Sequence, residues 1–203
     1  MKKYVKLIVA GAAFALFLVG AGTLYRGLLE DYAPDTGFST EDGETGNKSD
    51  SGDVEDNDAS ETTNMAIDFT VENAVGEEVT LSSFIGKPIV LNFWASWCGP
   101  CKMELPDFQS AYETYGKDVE FLLVNMTDGM QETKETAEAF MESEGYTLPV
   151  YYDTKQEAAY VYQVYSIPTT YLIDAGGEVV AKASGMIDAK ILEQGISLIY
   201  DPD

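Results

Sequence analysis

The stretch IVLNFWASWCGPC, residues 89–101, joins a short apolar run to two cysteines that are separated by two residues. The run 89–95 is short and almost wholly apolar, which is typical of a strand buried on both faces. The residues after the second cysteine, Lys102–Tyr115, carry apolar side chains at helical spacing. Cys98 and Cys101 are therefore predicted to lie where a buried strand passes into a helix, a junction at which two thiols so spaced come within disulfide distance.

The rest of the C-terminal part alternates predicted strands and helices, which is typical of the α/β class. A second buried strand is predicted at 121–126, and with the strand at 89–95 and the helix between them it forms a right-handed βαβ unit with parallel strands. Gly176-Gly177 predicts a tight turn between two antiparallel strands. We therefore expect an α/β domain over 65–203, with a central mixed β-sheet flanked by helices. The remaining predicted elements are a helix at 131–145, a strand at 148–153, a helix at 156–165, hairpin strands at 169–174 and 178–185, and a helix at 187–200.

The N-terminal segment, residues 1–29, is predicted to be a membrane anchor. Its apolar run from Leu7 to Tyr25 is about long enough to span the hydrocarbon core as one helix. Lysines precede the run and acidic residues follow it, which places the N-terminus in the cytoplasm and the rest of a single-pass protein outside the cell membrane. The alternative is a cleaved signal peptide, with the small residues 19–21 near the cleavage point. Both interpretations export the C-terminal domain.

Residues 30–64 are predicted to form an acidic, disordered linker. They contain twelve acidic residues, one lysine and hardly any large apolar side chain, so they cannot bury enough surface to offset the entropy of ordering. The whole chain has a formal net charge of −23. Such acidity argues against a nucleic-acid partner, because phosphate binding requires clustered Lys and Arg.

The chain contains no histidine and only two cysteines. It therefore lacks the commonest acid/base group at neutral pH and the commonest transition-metal ligand in proteins. An ordinary four-ligand zinc site and a hydrolase of the Ser-His-Asp or Cys-His type are both excluded. We expect no metal and no cofactor.

A Cys-x-x-Cys pair inside a βαβ pattern is typical of a redox-active centre. Cys98 is predicted to lie at the helix N-terminus, where the helix dipole favours the thiolate, so Cys98 is the expected nucleophile. Cys101 lies one turn further along and is expected to resolve the mixed disulfide that Cys98 forms with a partner. The alternatives are a structural disulfide, which across so short a loop would constrain the unfolded chain little, or two reduced core thiols.

The segment FWASWCGPCKMELPDF, residues 93–108, resembles the active-site segment of the thioredoxin superfamily. The longer segment 67–101, IDFTVENAVGEEVTLSSFIGKPIVLNFWASWCGPC, is similar to the opening of the TlpA/ResA-type branch. The resemblance covers roughly 66–200. It implies a thioredoxin-like fold and a membrane-anchored thiol–disulfide oxidoreductase whose domain faces the extracytoplasmic side.

The same resemblance implies a substrate-binding surface around the cysteines. Ile167 and Pro168 match the cis-proline loop that faces the cysteine pair, although from the residues alone a trans proline before a strand is the alternative. Trp97 is expected to line the docking surface. Gly99 and Pro100 match thioredoxin itself, which implies a comparatively reducing pair, whereas many ResA-type proteins carry a glutamate at the first of these two positions.

Glu104 is the third candidate catalytic residue. It lies three residues after Cys101, so both are on one helix face. In the TlpA/ResA branch a glutamate at this position is implicated in thiol acid/base behaviour, and partial burial would raise the pKa of Glu104 toward a useful range. Asn92 stands where cytosolic thioredoxins carry a buried aspartate. The alternative for Glu104 is a solvated helix residue.

The resemblance favours an exported reductase that acts on disulfides in exported proteins, apocytochrome c among the substrates known in the family. A reductant outside the cytoplasm needs an electron supply, so a membrane electron donor of the CcdA type is an expected partner. The alternatives are a disulfide-forming oxidant, a peroxiredoxin-like peroxidase and a non-catalytic tethered binding module. Pro88 lies ten residues before Cys98, which differs from the close proline–cysteine spacing of peroxiredoxins.

Overall fold

The computed structural model of this chain describes residues 64–202. At its centre are two parallel strands, β3 (Ile89–Trp94) and β4 (Glu120–Asn125), which pair from Ile89↔Glu120 to Trp94↔Asn125. The helix α1 (Gly99–Tyr115) connects them. All six residues of β3 are buried, as expected of an apolar strand at the centre of a sheet. The predicted βαβ unit is confirmed.

Seven strands form one mixed sheet in the order β2-β1-β5-β4-β3-β6-β7. The strand β6 pairs antiparallel with β3, and β7 pairs antiparallel with β6, as the Gly176-Gly177 turn predicts. The strand β5 adds a third parallel strand beside β4. The expected central mixed sheet is thus confirmed. The outer strands are β1 (Thr70–Glu72), β2 (Glu78–Thr80), β5 (Val150–Tyr152), β6 (Thr169–Ile173) and β7 (Val179–Ser184).

The hairpin formed by β1 and β2 was not predicted from the sequence. Each strand has three residues, with valine as its one apolar side chain, so neither shows a measurable alternation. The turn between them is closed by Asn73, whose Oδ1 accepts hydrogen bonds from the N–H groups of Val75 and Glu77. A short 3-10 helix, Leu81–Phe84, follows β2.

The helix bounds differ from the predictions at their ends. The helix α1 begins at Gly99, three residues before the predicted start, because Cys98 caps its N-terminus. The helix α2 begins at Lys134 rather than at 131, because Thr133 and Thr136 form a capping box. The third helix is much shorter than predicted, since Gln163 adopts a φ of 49° and ends the helical path. The remaining helices and their bounds are α2 (Lys134–Glu144), α3 (Glu157–Val161) and α4 (Ala189–Ile199).

Side chains of β3 alternate between two apolar clusters, one on each face of the sheet. Val90 and Trp94 belong to the cluster that also contains Leu105 of α1 and both cysteines. Leu91 belongs to the opposite cluster, with residues of β1 and α3. The same alternation directs Asn92 toward α1, which brings a polar side chain into the core beneath the cysteines.

The predicted anchor (1–29) and nearly all of the predicted linker (30–64) lie outside the described residues. Within 64–202, no helix has the length and apolar content needed to cross a membrane.

Candidate active site

Cys98 lies at the junction between β3 and α1. The chain leaves β3 in a turn in which the Cys98 N–H donates to the Ala95 carbonyl at 3.1 Å. Cys98 then caps α1, because its Sγ accepts a hydrogen bond from the Cys101 N–H at 3.2 Å. The two cysteines form a disulfide with their Cα atoms 5.3 Å apart. Cys98 is 4% exposed and Cys101 is fully buried, so Cys98 is the sulfur that a partner can reach.

The loop before β6 approaches the disulfide. The Ile167–Pro168 peptide bond is cis, as the resemblance implied. The Ile167 carbonyl oxygen lies 3.7 Å from the Cys98 Sγ. In the disulfide this is a close contact only, whereas a Cys98 thiol would have a hydrogen to donate to that oxygen. Pro168 is buried, and its carbonyl accepts a hydrogen bond from the Gly185 N–H at 2.9 Å.

Glu104 is buried in the core rather than solvated on the helix surface. Its Oε1 accepts a hydrogen bond from Asn92 Nδ2 at 2.9 Å, and its Oε2 accepts one from the Ile187 N–H at 3.1 Å. Burial raises the pKa of Glu104 from its ordinary value of 4.5 to about 7, against the opposing effect of the two hydrogen bonds. The expectation of a raised pKa is therefore confirmed. A carboxyl group with this pKa is half-protonated near neutrality and can both accept and release a proton.

Asn92 connects Glu104 to β6. Its Nδ2 also donates to the Thr170 Oγ1 at 3.0 Å, so one amide bridges the helix and the strand that follows the cis proline. The Asn92 Oδ1 is buried and accepts no hydrogen bond within residues 64–202.

Trp97, Gly99 and Pro100 form the exposed surface around the disulfide. Trp97 is 49% exposed, in contrast to Trp94, which is fully buried and packs on Phe140. Gly99 and Pro100 are exposed at the first two positions of α1, where proline costs no helical hydrogen bond. Of the residues expected to contact a substrate, these three are thus exposed beside the cysteine pair, whereas Pro168 is buried.

The sequence matches the AhpC/TSA family over residues 62–182, which is more than half of the chain. The chain belongs to the AhpC/TSA family.

The names of similar proteins indicate which reaction this member of the family catalyses. Thiol–disulfide oxidoreductase ResA of Geobacillus kaustophilus is 37% identical over 135 residues, which cover 66% of this chain and 75% of ResA. The crystal structure of StoA from Bacillus subtilis is 30% identical with a TM-score of 0.57, covering 66% of this chain and 98% of StoA. The exposed lipoprotein thioredoxin Etrx1 of Streptococcus pneumoniae is 31% identical with a TM-score of 0.56, covering 65% and 99%. The chain is a thiol–disulfide oxidoreductase of the ResA and StoA type with a thioredoxin-like fold.

Two features that hydrogen-bond to residues of this site were not predicted from the sequence. Glu132 is fully buried and accepts hydrogen bonds from Ser96, two residues before Cys98. In the sequence it reads as one more acidic residue at the start of a helix, and nothing local distinguishes it. The loop 185–187, which supplies the Ile187 N–H to Glu104, was also missed, because a backbone donor has no sequence signature.

Acidic side chains are abundant in this family member but are not grouped for metal binding where the structure describes them. Among residues 64–202, no three or more cysteine, aspartate or glutamate side chains are arranged to hold a metal ion.

Proposed function

We propose that this oxidoreductase is a membrane-tethered, extracytoplasmic reductase of disulfides in exported proteins, and that Cys98 and Cys101 are its reacting pair. One observation carries the proposal: the Cys98–Cys101 disulfide caps the N-terminus of α1 with the Ile167 carbonyl beside the more accessible sulfur. This arrangement combines a stabilised thiolate, a resolving thiol one helical turn away and an adjacent backbone segment for a substrate.

The reaction transfers two electrons and two protons from the enzyme dithiol to a substrate disulfide. The Cys98 thiolate attacks one substrate sulfur, the substrate S–S bond breaks, and the released sulfur takes up a proton. Cys101 then loses its proton and attacks the Cys98 Sγ. The mixed disulfide breaks, the Cys98–Cys101 bond forms, and the second substrate sulfur leaves as a thiolate that then takes up a proton.

Glu104 is the proposed acid/base partner of Cys101. The two residues lie three positions apart on one face of α1, and both are buried. The pKa of Glu104, raised by burial to about 7, matches the task of taking a proton from a buried thiol at neutral pH. Histidine is absent from the chain, so no imidazole competes for this role.

The proposed substrate-binding surface consists of Trp97, Gly99, Pro100, Ile167 and Pro168. An extended substrate segment would lie along the 166–168 loop and pair with its backbone, as an added strand does. Trp97 combines an exposed aromatic face with a ring N–H donor, which suits a docking contact next to the reacting sulfur.

The cellular setting is supported by the sequence and by one relative. The apolar run in 1–29 and the acidic segment 30–64 have the composition of an anchor and a tether, and the relative Etrx1 is described as an exposed lipoprotein. An enzyme that gives away electrons outside the cytoplasm must be reduced again. A membrane electron donor of the CcdA type is the proposed source.

The decisive test is insulin reduction by the reduced wild-type protein, compared with Cys98→Ser and Cys101→Ser. We expect activity in the wild type only, and a persistent mixed disulfide with substrate in Cys101→Ser, because its resolving thiol is missing. If the protein forms disulfides in a reduced peptide and does not reduce insulin, it is an oxidant instead. Rapid peroxide consumption would indicate a peroxidase, and inactivity in every assay would leave a binding module.

A further inference from the structure

Glu132 is a buried carboxylate directly behind the loop that leads to Cys98. It lies in the segment between β4 and α2 and is fully buried. Its Oε1 accepts hydrogen bonds from the Ser96 N–H at 2.9 Å and from Asn125 Nδ2 at 2.7 Å, and its Oε2 accepts one from the Ser96 Oγ at 2.7 Å. The carboxylate therefore binds both the backbone and the side chain of Ser96.

The partners of Glu132 all donate hydrogen bonds to its carboxyl oxygens. They are an amide N–H, a hydroxyl and a side-chain amide NH2, all of which are uncharged donors. Asn125 is held in this orientation because its Oδ1 accepts a hydrogen bond from the Thr127 hydroxyl at 2.7 Å. Three donors are thus directed at the two carboxyl oxygens of Glu132.

The anchored serine belongs to the turn that delivers the nucleophile. Residues 95–98 are closed by the hydrogen bond from the Cys98 N–H to the Ala95 carbonyl, and Ser96 lies inside this turn. We propose that Glu132 is a positioning residue for Cys98, which fixes the 95–98 turn and, through its negative charge, keeps the cysteine pair reducing. This inference rests on the proposed role of Cys98 as the nucleophile.

The expected effect on the redox couple follows from the position of the Glu132 charge near Cys98. A negative charge near Cys98 opposes the helix dipole and raises the free energy of the Cys98 thiolate. A dithiol whose thiolate is less stabilised gives up electrons more readily, so the couple becomes more reducing.

The charged neighbours of Glu132 do not neutralise it. Asp128, on the same loop, accepts the Glu132 N–H at 2.9 Å, and buried Asp153 at the end of β5 adds a second acid. Lys134 bonds the Ala74 carbonyl and lies 3.9 Å from Glu138. Glu135 is exposed at the start of α2. Lys134 is thus engaged with partners other than Glu132, and Lys102 lies over the Phe140 ring of α2.

The test compares Glu132→Gln with Glu135→Gln, which removes the same charge from an exposed position on α2. The glutamine can keep all three hydrogen bonds, because its Oε1 accepts two and its Nε2 donates to the Ser96 hydroxyl. We expect Glu132→Gln to lower the pKa of Cys98, measured from the pH dependence of alkylation, by roughly 0.5–1 unit. Above that pKa, the equilibrium with dithiothreitol should shift toward the dithiol by up to about tenfold per unit. Glu135→Gln should change neither quantity.

Unchanged alkylation and redox equilibrium in Glu132→Gln would overturn the electrostatic role. The positioning role is tested with Glu132→Ala, which removes the acceptors and should slow insulin reduction relative to Glu132→Gln. Equal rates in these two variants would overturn it, and if Glu132→Ala does not fold, the same comparison is made with Ser96→Ala. Failure of the wild type to reduce insulin refutes the proposed function instead, and the alkylation measurement is independent of that assay.

Discussion

The side-chain amide of Asn92 donates a hydrogen bond of 2.9 Å to the carboxyl group of Glu104 and so joins the central strand to the helix that carries both cysteines. Both side chains are buried, and the second carboxyl oxygen of Glu104 is bound by the Ile187 N–H. A titratable group is thereby fixed between β3, α1 and the loop before α4. Its protonation state affects the stability of the fold and, in the proposed mechanism, the chemistry of the thiols.

Replacing Glu104 by glutamine should remove a pH dependence of folding stability. The folded-state pKa of Glu104 is about 7 and its ordinary value is 4.5, so between these values the folded protein binds more protons than the unfolded chain. The contribution to stability is therefore complete below about pH 4.5 and is lost as the pH rises through 7. Across this interval the loss amounts to about 3 kcal/mol. Urea denaturation of the oxidised protein between pH 4.5 and 8 measures it.

The control for this prediction is Glu113→Gln, an exposed position on the same helix. It should keep the wild-type profile, whereas Glu104→Gln should flatten it. A Glu104→Gln profile that still falls by the wild-type amount between pH 4.5 and 8 would contradict the assignment of that slope to Glu104.

Asn92→Asp should destabilise the fold in a pH-dependent way. The aspartate places a second acid beside Glu104. It also removes the amide Nδ2 that donates a hydrogen bond to Glu104 Oε1. The two carboxyl groups would share one proton, and charging both in the core should cost roughly 3–5 kcal/mol at pH 8, with a smaller loss at pH 5. Asn73→Asp is the matched control, because the aspartate keeps the Oδ1 acceptor of that surface turn. Equal losses at pH 5 and pH 8 in Asn92→Asp would count against a shared proton.

The two tryptophans should separate stability from activity. Trp94→Ala removes a fully buried side chain and should cost about 3–5 kcal/mol of unfolding free energy. Trp97→Ala removes a side chain that is 49% exposed and should cost less than about 1 kcal/mol, while it raises the KM for a protein disulfide. Denaturation and insulin-reduction kinetics measure the two effects. An unchanged KM in Trp97→Ala would remove this residue from the docking surface.

Gly185→Ala should change the pKa of Glu104 from a distance. Gly185 has a φ of 92°, which an alanine adopts only with strain, and its N–H donates to the Pro168 carbonyl. Displacement of the 185–187 loop weakens the Ile187 hydrogen bond that stabilises the carboxylate, so the pKa of Glu104 should rise further. Carbon NMR of the carboxyl group measures it. Gly145→Ala, at a φ of 73° and equally open space, should destabilise similarly and leave the Glu104 pKa unchanged.

The sequence predicts the centre of the fold better than its edge. Strands β3 and β4 are continuous apolar runs because both faces are covered, so the runs are visible in one dimension. The three-residue strands β1 and β2 are stabilised by pairing with each other and with β5, an interaction between residues distant in sequence. Helix starts were misplaced where a capping side chain, such as that of Cys98 or Thr133, determines the first turn.

The residues of the candidate site could likewise be predicted only in part from the sequence. Glu104 could be predicted because its distance from Cys101 is fixed by one helix, and its position matches a known family pattern. Glu132 could not, because its burial depends on a loop that folds back beneath Ser96. Solvated and buried glutamates are indistinguishable until the residues that cover them are known.

The burial of Glu104 has a practical consequence in a chain without histidine. Near neutrality most proteins take up and release protons through imidazole groups, which are missing here. In the oxidised protein both thiols are locked in the disulfide and do not ionise. With a pKa of about 7, Glu104 titrates in this interval. The oxidised enzyme thus keeps a carboxyl group that titrates near neutral pH. Potentiometric titration of the oxidised and reduced forms would give the number of protons that the two thiols bind on reduction.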